Sequence, residues 1–340
     1  MERIQYKVEL LDHSSITQQV QVFKQAFGLE TDDNELLEFW EKKHYHNPLG
    51  NSLMFGVFID GVLAGMNAYL PSTFNYKGRP IKCLQSCESG VNPAFQGKGI
   101  WGTVVRHAVD FIFNETDYEF IFGFPNYRNS YPGFVKMKWE TVHNMKNFLL
   151  VNNASTFVKT ITSNRVLSAL SFPLLLQKKY VQLFSSKILC IEDCMPDELL
   201  WDNDNDFITV KPTDEWIKWK QDYRKEHFLK VTYDGAIIAS CIYILDKHND
   251  FPIVRLDRVT VPNNSRINPK VVMASILTYL CKMYPDSAFI RTWVLEKSDN
   301  QALLNGLFLI KSNHANPFIL KQKDSTYDGL NWNLSFYDLD

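Results

Sequence analysis

The stretch Val91–Gly102, VNPAFQGKGIWG, constrains the fold more than any other part of the chain. It joins the end of an apolar strand-like run to an apolar helix-like run, Thr103–Phe113. Gly97 and Gly99 let the backbone turn sharply and leave amides uncovered by side chains. Those amides sit at a helix N-terminus, where the helix dipole favours an anion. Strand, glycine turn and helix together make a cradle suited to a diphosphate. A Walker loop needs G-x-x-x-x-G-K-[ST], which the chain does not contain. Gly97, Gly99 and Gly102 match the dinucleotide pattern G-x-G-x-x-G. About ninety residues precede that match, however, and no acidic residue closes a second strand about twenty residues on.

Downstream, Tyr118–Pro125 (YEFIFGFP) reads as a buried strand from its aromatic and β-branched content. Asn126–Trp139 (NYRNSYPGFVKMKW) follows it. Both segments resemble motifs of the GNAT superfamily of N-acyltransferases. The first resembles the acyl-CoA loop Q/R-x-x-G-x-G/A, here Gln96-Gly97-Lys98-Gly99-Ile100-Trp101, with Trp101 where Gly or Ala is usual. The second is similar to N-x-x-A-x-x-x-Y-x-K-x-G-F. Ser130 takes the small position, Phe134 the tyrosine position, Lys136 the lysine position and Lys138-Trp139 the Gly-Phe position. Either Asn126 or Asn129 supplies the asparagine. A helix cap without a ligand is the plain alternative for the loop.

The resemblance implies a mixed α/β fold and acetyl-CoA, or another acyl-CoA, as co-substrate, with no metal. It places Val91, the loop Gln96–Trp101, and Asn126, Asn129, Ser130 and Phe134 on the cofactor. It also implies that an amine attacks the thioester directly, with a backbone amide around Ser89–Asn92 stabilising the oxyanion. Glu88, in the weakly polar run LQSCESGV, is a candidate base if partial desolvation raises its pKa. A salt-bridged edge residue is the equal alternative. Asp340 and the terminal carboxylate are a second candidate, set against a frayed surface tail. The proton donor for the leaving thiolate is expected at Tyr131, one helical turn before Phe134, which has no proton to give. Tyr127 is a substitute, and simple packing is the alternative for both.

The chain reads as built twice. Asp60-Gly61 joins strand-like runs Leu53–Ile59 and Val62–Leu70 as a hairpin, after an amphipathic helix Asp33–Tyr45. Helix Asp214–Tyr223, turn Asp234-Gly235 and runs Phe228–Tyr233 and Ala236–Leu245 repeat this about 170 residues later. Val91-Asn92-Pro93 is answered by Val261-Pro262-Asn263, and Asn126–Trp139 more weakly by Ser298–Phe308, after a strand Ala288–Leu295. Chance recurrence of Asp-Gly hairpins is the alternative. The expected division is a GNAT-like catalytic unit at 1–155, a helical connector at 156–180 and a degenerate GNAT-like unit at 181–340. Each unit is expected to be a mixed, mostly antiparallel sheet flanked by helices. The second lacks glycine at Asn264–Asn268, so it is expected to hold no diphosphate and to shape the acceptor pocket instead. In the connector, Leu167, Leu170, Leu174 and Leu175 form an apolar stripe, and Lys178 and Lys179 are expected to end the helix.

Composition narrows the function. A net charge of −2 with no Lys/Arg-rich run gives no reason to expect nucleic acid as a partner. No stretch approaches the ~20 apolar residues of a membrane span, and MERIQYKVEL lacks a signal-peptide core, so the cytoplasm is expected. The six cysteines read as buried free thiols, because no second pair completes a zinc pattern. The acceptor is expected to be a small amine. The wording around GFPNYRNSYPGFVKMKW is similar to GNAT proteins that acylate nucleotide-linked amino sugars of surface polysaccharides. Two other readings stay open. One is a peptidoglycan-type transferase using aminoacyl-tRNA; the other is a non-catalytic sensor of CoA or a metabolite.

Overall fold

Both halves of the chain make their first long hairpin with the same turn. Asp60 and Gly61 have φ of 51° and 78°, and Asp234 and Gly235 have 50° and 77°. Two successive positive φ values fit the right-handed twist of the flanking strands, and Asp-Gly is the sequence that tolerates them. The computed structural model describes residues 6–161, 171–201, 206–210, 212–262, 265–296, 301, 304, 306–307 and 310–338.

The first half runs β1 (Val8–Leu11), α1 (Ile16–Phe27), α2 (Asp33–Tyr45), β2 (Leu53–Ile59), β3 (Val62–Tyr76) and β4 (Arg79–Val91). It continues with α3 (Ile100–Glu115), β5 (Phe120–Gly123), α4 (Tyr131–Lys136) and β6 (Glu140–Val151). The helices α5 (Ala154–Ile161) and α6 (Ser171–Phe184) lead across. Then follow β7 (Cys190–Asp193), β8 (Phe207–Val210), α7 (Asp214–Arg224), β9 (His227–Tyr233), β10 (Ala236–His248) and β11 (Phe251–Thr260). The chain ends with α8 (Pro269–Met283), β12 (Phe289–Leu295), β13 (Ile310–Gln322) and β14 (Asn331–Trp332).

The helix α2 begins where the sequence places it. The Asp32 side chain accepts from the amides of Asn34 and Glu35, acidic residues fill the first turn, and Lys42, Lys43 and His44 fill the last. Lys178 and Lys179 do not end α6, which continues to Phe184; the Lys178 ammonium instead donates to Asn152 Oδ1 at 2.7 Å. Leu167 and Leu170 of the expected stripe lie outside the described residues, as does most of Ser298–Phe308.

The strands form one mixed, mostly antiparallel sheet in the order β1-β2-β3-β4-β5-β13-β6-β12-β11-β10-β9-β7. The two halves of the chain are joined by exchange of their last strands. The strand β13 of the second half lies antiparallel to β5 of the first, and β6 of the first lies antiparallel to β12 of the second. The joint therefore closes through backbone hydrogen bonds. One face of the first unit packs α3 against Leu84, Phe134 and Trp139. The other packs α1 and α2 against Cys83, Cys87 and Phe122. Cys83 and Cys87 do share a face of β4, as their spacing requires. Cys190, by contrast, is exposed rather than buried.

The two parallel strand pairs are equivalent in register. Strands β4 and β5 pair at Leu84↔Ile121 and Gln85↔Phe122; β11 and β12 pair at Val254↔Ile290 and Arg255↔Arg291. Beyond these positions each pair parts, leaving a cleft through the sheet.

Candidate active site

The cleft between β4 and β5 is an open cavity of about 870 Å³. A bulge shapes its wall. The β3–β4 register steps from Met66↔Gly90 to Ala68↔Cys87, so Glu88 and Ser89 together face Asn67. An extra residue bends the strand and frees its backbone groups from the ladder. Glu88 takes φ of 39° there, a conformation seldom adopted without glycine and frequent at functional sites. The Ser89 hydroxyl donates to Asn67 Oδ1, and Asn67 Nδ2 donates to Ser86 Oγ at 3.1 Å. This buried amide pins both sides of the bulge.

At one end of the cavity stands the glycine loop. Gly97 and Gly99 both have φ of 77°, and a Cβ at either would meet no atom within 4 Å. Gly99 caps α3, and the first helical bond runs from the Thr103 amide to the Gly99 carbonyl at 3.2 Å. The amides of Ile100, Trp101 and Gly102 precede that bond and face the loop's open side. A diphosphate fits this arrangement, because bare amides and the positive end of a helix converge on one open space. Gln96 and Trp101 line the cavity directly behind it.

Trp101, the departure from the motif, is explained by α4. Its indole lies edge-on to Phe134 with ring centres 5.0 Å apart, and Phe134 packs likewise on Trp139 at 4.7 Å. Any Cβ on Gly133 would fall against the Trp101 ring, so Gly133 is the space the indole occupies. The Asn126 side chain accepts from the amides of Arg128 and Asn129, and the Asn126 amide donates to Ser130 Oγ at 3.1 Å. Asn126, Asn129, Ser130, Phe134 and Val91 all line the cavity.

Glu88 lies in the cavity wall, ion-paired as the salt-bridge alternative expects and not with the raised pKa of a base. Lys43 Nζ is 2.6 Å from Oε1, and His44 Nε2 is 3.6 Å from Oε2. Burial alone pushes the carboxyl up, yet Lys43 and His44 outweigh it and hold its pKa below the ordinary glutamate value. The expected upward shift is therefore wrong in sign. Lys43 and His44 come from α2 and are themselves buried. In the sequence neither Lys43 nor His44 stands in a motif that marks it as part of a site. The available signal was a lysine and a histidine in the last turn of an amphipathic helix.

Tyr131, the expected proton donor, does not line the cavity. Its hydroxyl pairs with Thr141 Oγ1 at 2.9 Å, its ring stacks on exposed Tyr127, and neither residue lines the cavity. No tyrosine does so among the described residues. Asp340 lies outside the described residues. The segment before it is not a frayed tail, since Tyr337 and Asp338 are buried. One residue that sequence reasoning missed comes from the second half: Asn316, on the exchanged strand β13, lines the first unit's cavity.

The second cleft is closed by the chain's own end. Ser335 bridges to Val294 of β12, and the Leu295 amide donates to the Leu334 carbonyl at 3.2 Å. Arg258 stands on β11 at the place Glu88 takes on β4, and both oxygens of Asp338 lie 3.2 Å from its guanidinium. The space left there is about 10 Å³. The helix α8 carries Pro269 at its first position, and the Asn268 side chain accepts from the Lys270 amide. Its N-terminus is thus already capped, and one amide is missing. Among the described residues no group of three His, Cys, Asp or Glu side chains could hold a metal ion. No described helix is long and apolar enough to cross a membrane.

A strand-splayed cleft with a diphosphate cradle at one end is the arrangement of a CoA-dependent acyltransferase. Residues 7–142 match the family model of the acetyltransferase (GNAT) domain. The first half of this chain is thus similar to a GNAT acetyltransferase domain, a class whose co-substrate is an acyl-CoA. Solved structures extend the likeness of fold over nearly the whole chain. A probable N-acyltransferase from Enterococcus faecalis aligns with TM-score 0.64 at 11% identity, over 94% of this chain and 73% of its own. Saccharomyces cerevisiae N-myristoyltransferase, solved with myristoyl-CoA and inhibitors, aligns with TM-score 0.62 at 13% identity, over 94% and 80%. A tandem GNAT protein from the clavulanic acid biosynthesis pathway aligns with TM-score 0.59 at 10% identity, over 94% and 98%. No curated protein matches the sequence.

Proposed function

We propose that the protein transfers an acetyl or other short acyl group from acyl-CoA to a primary amine by direct attack. One observation carries the reading: the glycine loop at the N-terminus of α3 opens into a cavity that reaches the Glu88 carboxylate. In this reading Gln96, Gly97, Lys98, Gly99, Ile100 and Trp101 hold the diphosphate. Asn126, Asn129, Ser130, Phe134 and Val91 flank the pantetheine, and amides freed by the bulge near Ser89–Val91 receive the oxyanion.

Glu88, kept charged by Lys43, attracts the amine in its ammonium form. The amine loses a proton to solvent and attacks the carbonyl carbon; the tetrahedral adduct loses a second nitrogen proton to solvent, the C–S bond breaks, and the CoA thiolate released is protonated by water. Residues 1–155 hold acyl-CoA, 156–180 connect, and 181–340 close the cleft and contribute Asn316. The acceptor is a small primary amine, and the cytoplasm, where acyl-CoA is available, is the compartment. Tyr131 held on Thr141 favours one other reading, a CoA-binding sensor that does not turn over.

The test is thiol release from acetyl-CoA with a panel of primary amines. Amine-dependent release supports the transferase. Acetyl-CoA binding with no amine-dependent release supports the sensor.

A further inference from the structure

The acceptor end of the cavity has a definite chemistry. This inference rests on the reading that the β4–β5 cleft takes acyl-CoA. The cleft passes through the sheet. The glycine loop, Trp101 and Phe134 belong to the face covered by α3, whereas Phe23, Leu29 and Phe124 belong to the opposite face, covered by α1 and α2. A thioester reaching through the cleft therefore meets its acceptor on the α1 side.

That side is mostly apolar, with Gln85, Asn316 and one buried charge. The helix α1 crosses so close to β4 that a Cβ on Gly90 would sit 3.1 Å from the Ala26 methyl. This approach brings Phe23, Ala26, Phe27 and Leu29 into the cavity wall. Phe23 and Phe27 have ring centres 4.9 Å apart, and Phe27 is 54% exposed at the cavity's mouth. Glu88 also lines the cavity, with a side chain only 9% exposed; Lys43 takes its Oε1, and Oε2 has His44 Nε2 at 3.6 Å but no partner within hydrogen-bond distance. A buried carboxylate oxygen without a donor is costly unless a ligand supplies one. An ammonium supplies it.

We propose that the acceptor is a primary amine carried on an apolar, ring-sized body, with its nitrogen at Glu88 Oε2 and its body against Phe23, Phe27 and Leu29. Gln85, which alternation puts on the same face of β4 as Cys83 and Cys87, and Asn316 offer the body its polar contacts. A sugar ring would bring more hydroxyls against this largely apolar wall than those groups can pair, and such a site disfavours it.

Calorimetry on the full chain tests this. Free CoA is titrated first, then 2-phenylethylamine, ethylamine and glucosamine are each titrated into CoA-saturated protein. The expected result is phenylethylamine binding roughly tenfold or more tighter than either other amine. Phe27→Ser is expected to erase that preference and leave CoA affinity unchanged; Glu88→Gln is expected to abolish binding of every amine. Equal affinities, tighter glucosamine, or no phenylethylamine binding with CoA bound would overturn the inference and leave the acyl-CoA reading intact. Failure of CoA itself to bind removes that reading and the inference with it.

Discussion

Arg258 Nη1 lies 3.2 Å from both carboxylate oxygens of Asp338, in a cleft that matches by register the one lined by Glu88. Where the parallel strands part, the β4–β5 pair leaves an open cavity, and the β11–β12 pair leaves a cleft occupied by residues 334–338.

The seal is expected to matter for stability. Burial pushes the Asp338 carboxyl up, and Arg258 opposes that shift. Removing one partner of a buried pair leaves the other charge uncompensated, which costs about 3–5 kcal/mol. Arg258→Ala should lower the urea midpoint accordingly, and Arg258→Met with Asp338→Leu should recover most of the loss. Acetyl-CoA affinity of the folded single variant should stay within about twofold, because the first cavity is untouched.

The Lys43–Glu88 pair gives a pH prediction. The Glu88 pKa is lowered on folding, so its contribution is present above the ordinary value of 4.5 and is lost as pH falls through the folded value. Stability of the wild type should therefore be flat from this source at neutral pH and fall in acid. In Lys43→Met the carboxyl should rise, moving that loss to higher pH, which denaturation at a series of pH values would detect. The rate with a given amine should follow that amine's own pKa between pH 6 and 9, with no limb from Glu88.

Gly133 and Trp101 should act as a pair. Gly133→Ala places a methyl against the indole, and overpacking of this kind costs about 1–3 kcal/mol. It should also weaken acetyl-CoA binding, since Trp101 belongs to the loop. Adding Trp101→Ala should relieve the clash, so the double variant binds better than Gly133→Ala alone by thermal shift.

Tyr131→Phe should leave turnover within about twofold while lowering stability by about 1 kcal/mol, the typical worth of the lost Thr141 hydrogen bond. A hundredfold fall in kcat would return Tyr131 to the role of proton donor.

What the sequence revealed was local. The Asp-Gly turns, the capped helix at Asp33 and the glycine loop each take their form from a few adjacent residues, and all stand where they were expected. What it concealed was long-range. Lys43 reaches Glu88 across 45 positions, and that contact reverses the direction of the carboxyl's shift. The exchange of β6 and β13 cannot be read from periodicity, because a strand's alternation does not say which neighbour it will pair with. For the same reason Asn316 carried no signal as a cavity residue, and the apolar tail gave no hint of the cleft it fills.

The central claim is that acyl-CoA lies with its diphosphate on the loop Gln96–Trp101. Thermal-shift titration with acetyl-CoA, comparing the wild type with Gly99→Glu, tests it most directly. A ligand that binds only the native state raises the melting temperature with concentration. The account predicts such a rise for the wild type and none for a folded Gly99→Glu, whose carboxylate would stand at the anion site on a backbone of positive φ. An equal rise in both would place the cofactor elsewhere, and no rise in either at millimolar acetyl-CoA would contradict the account.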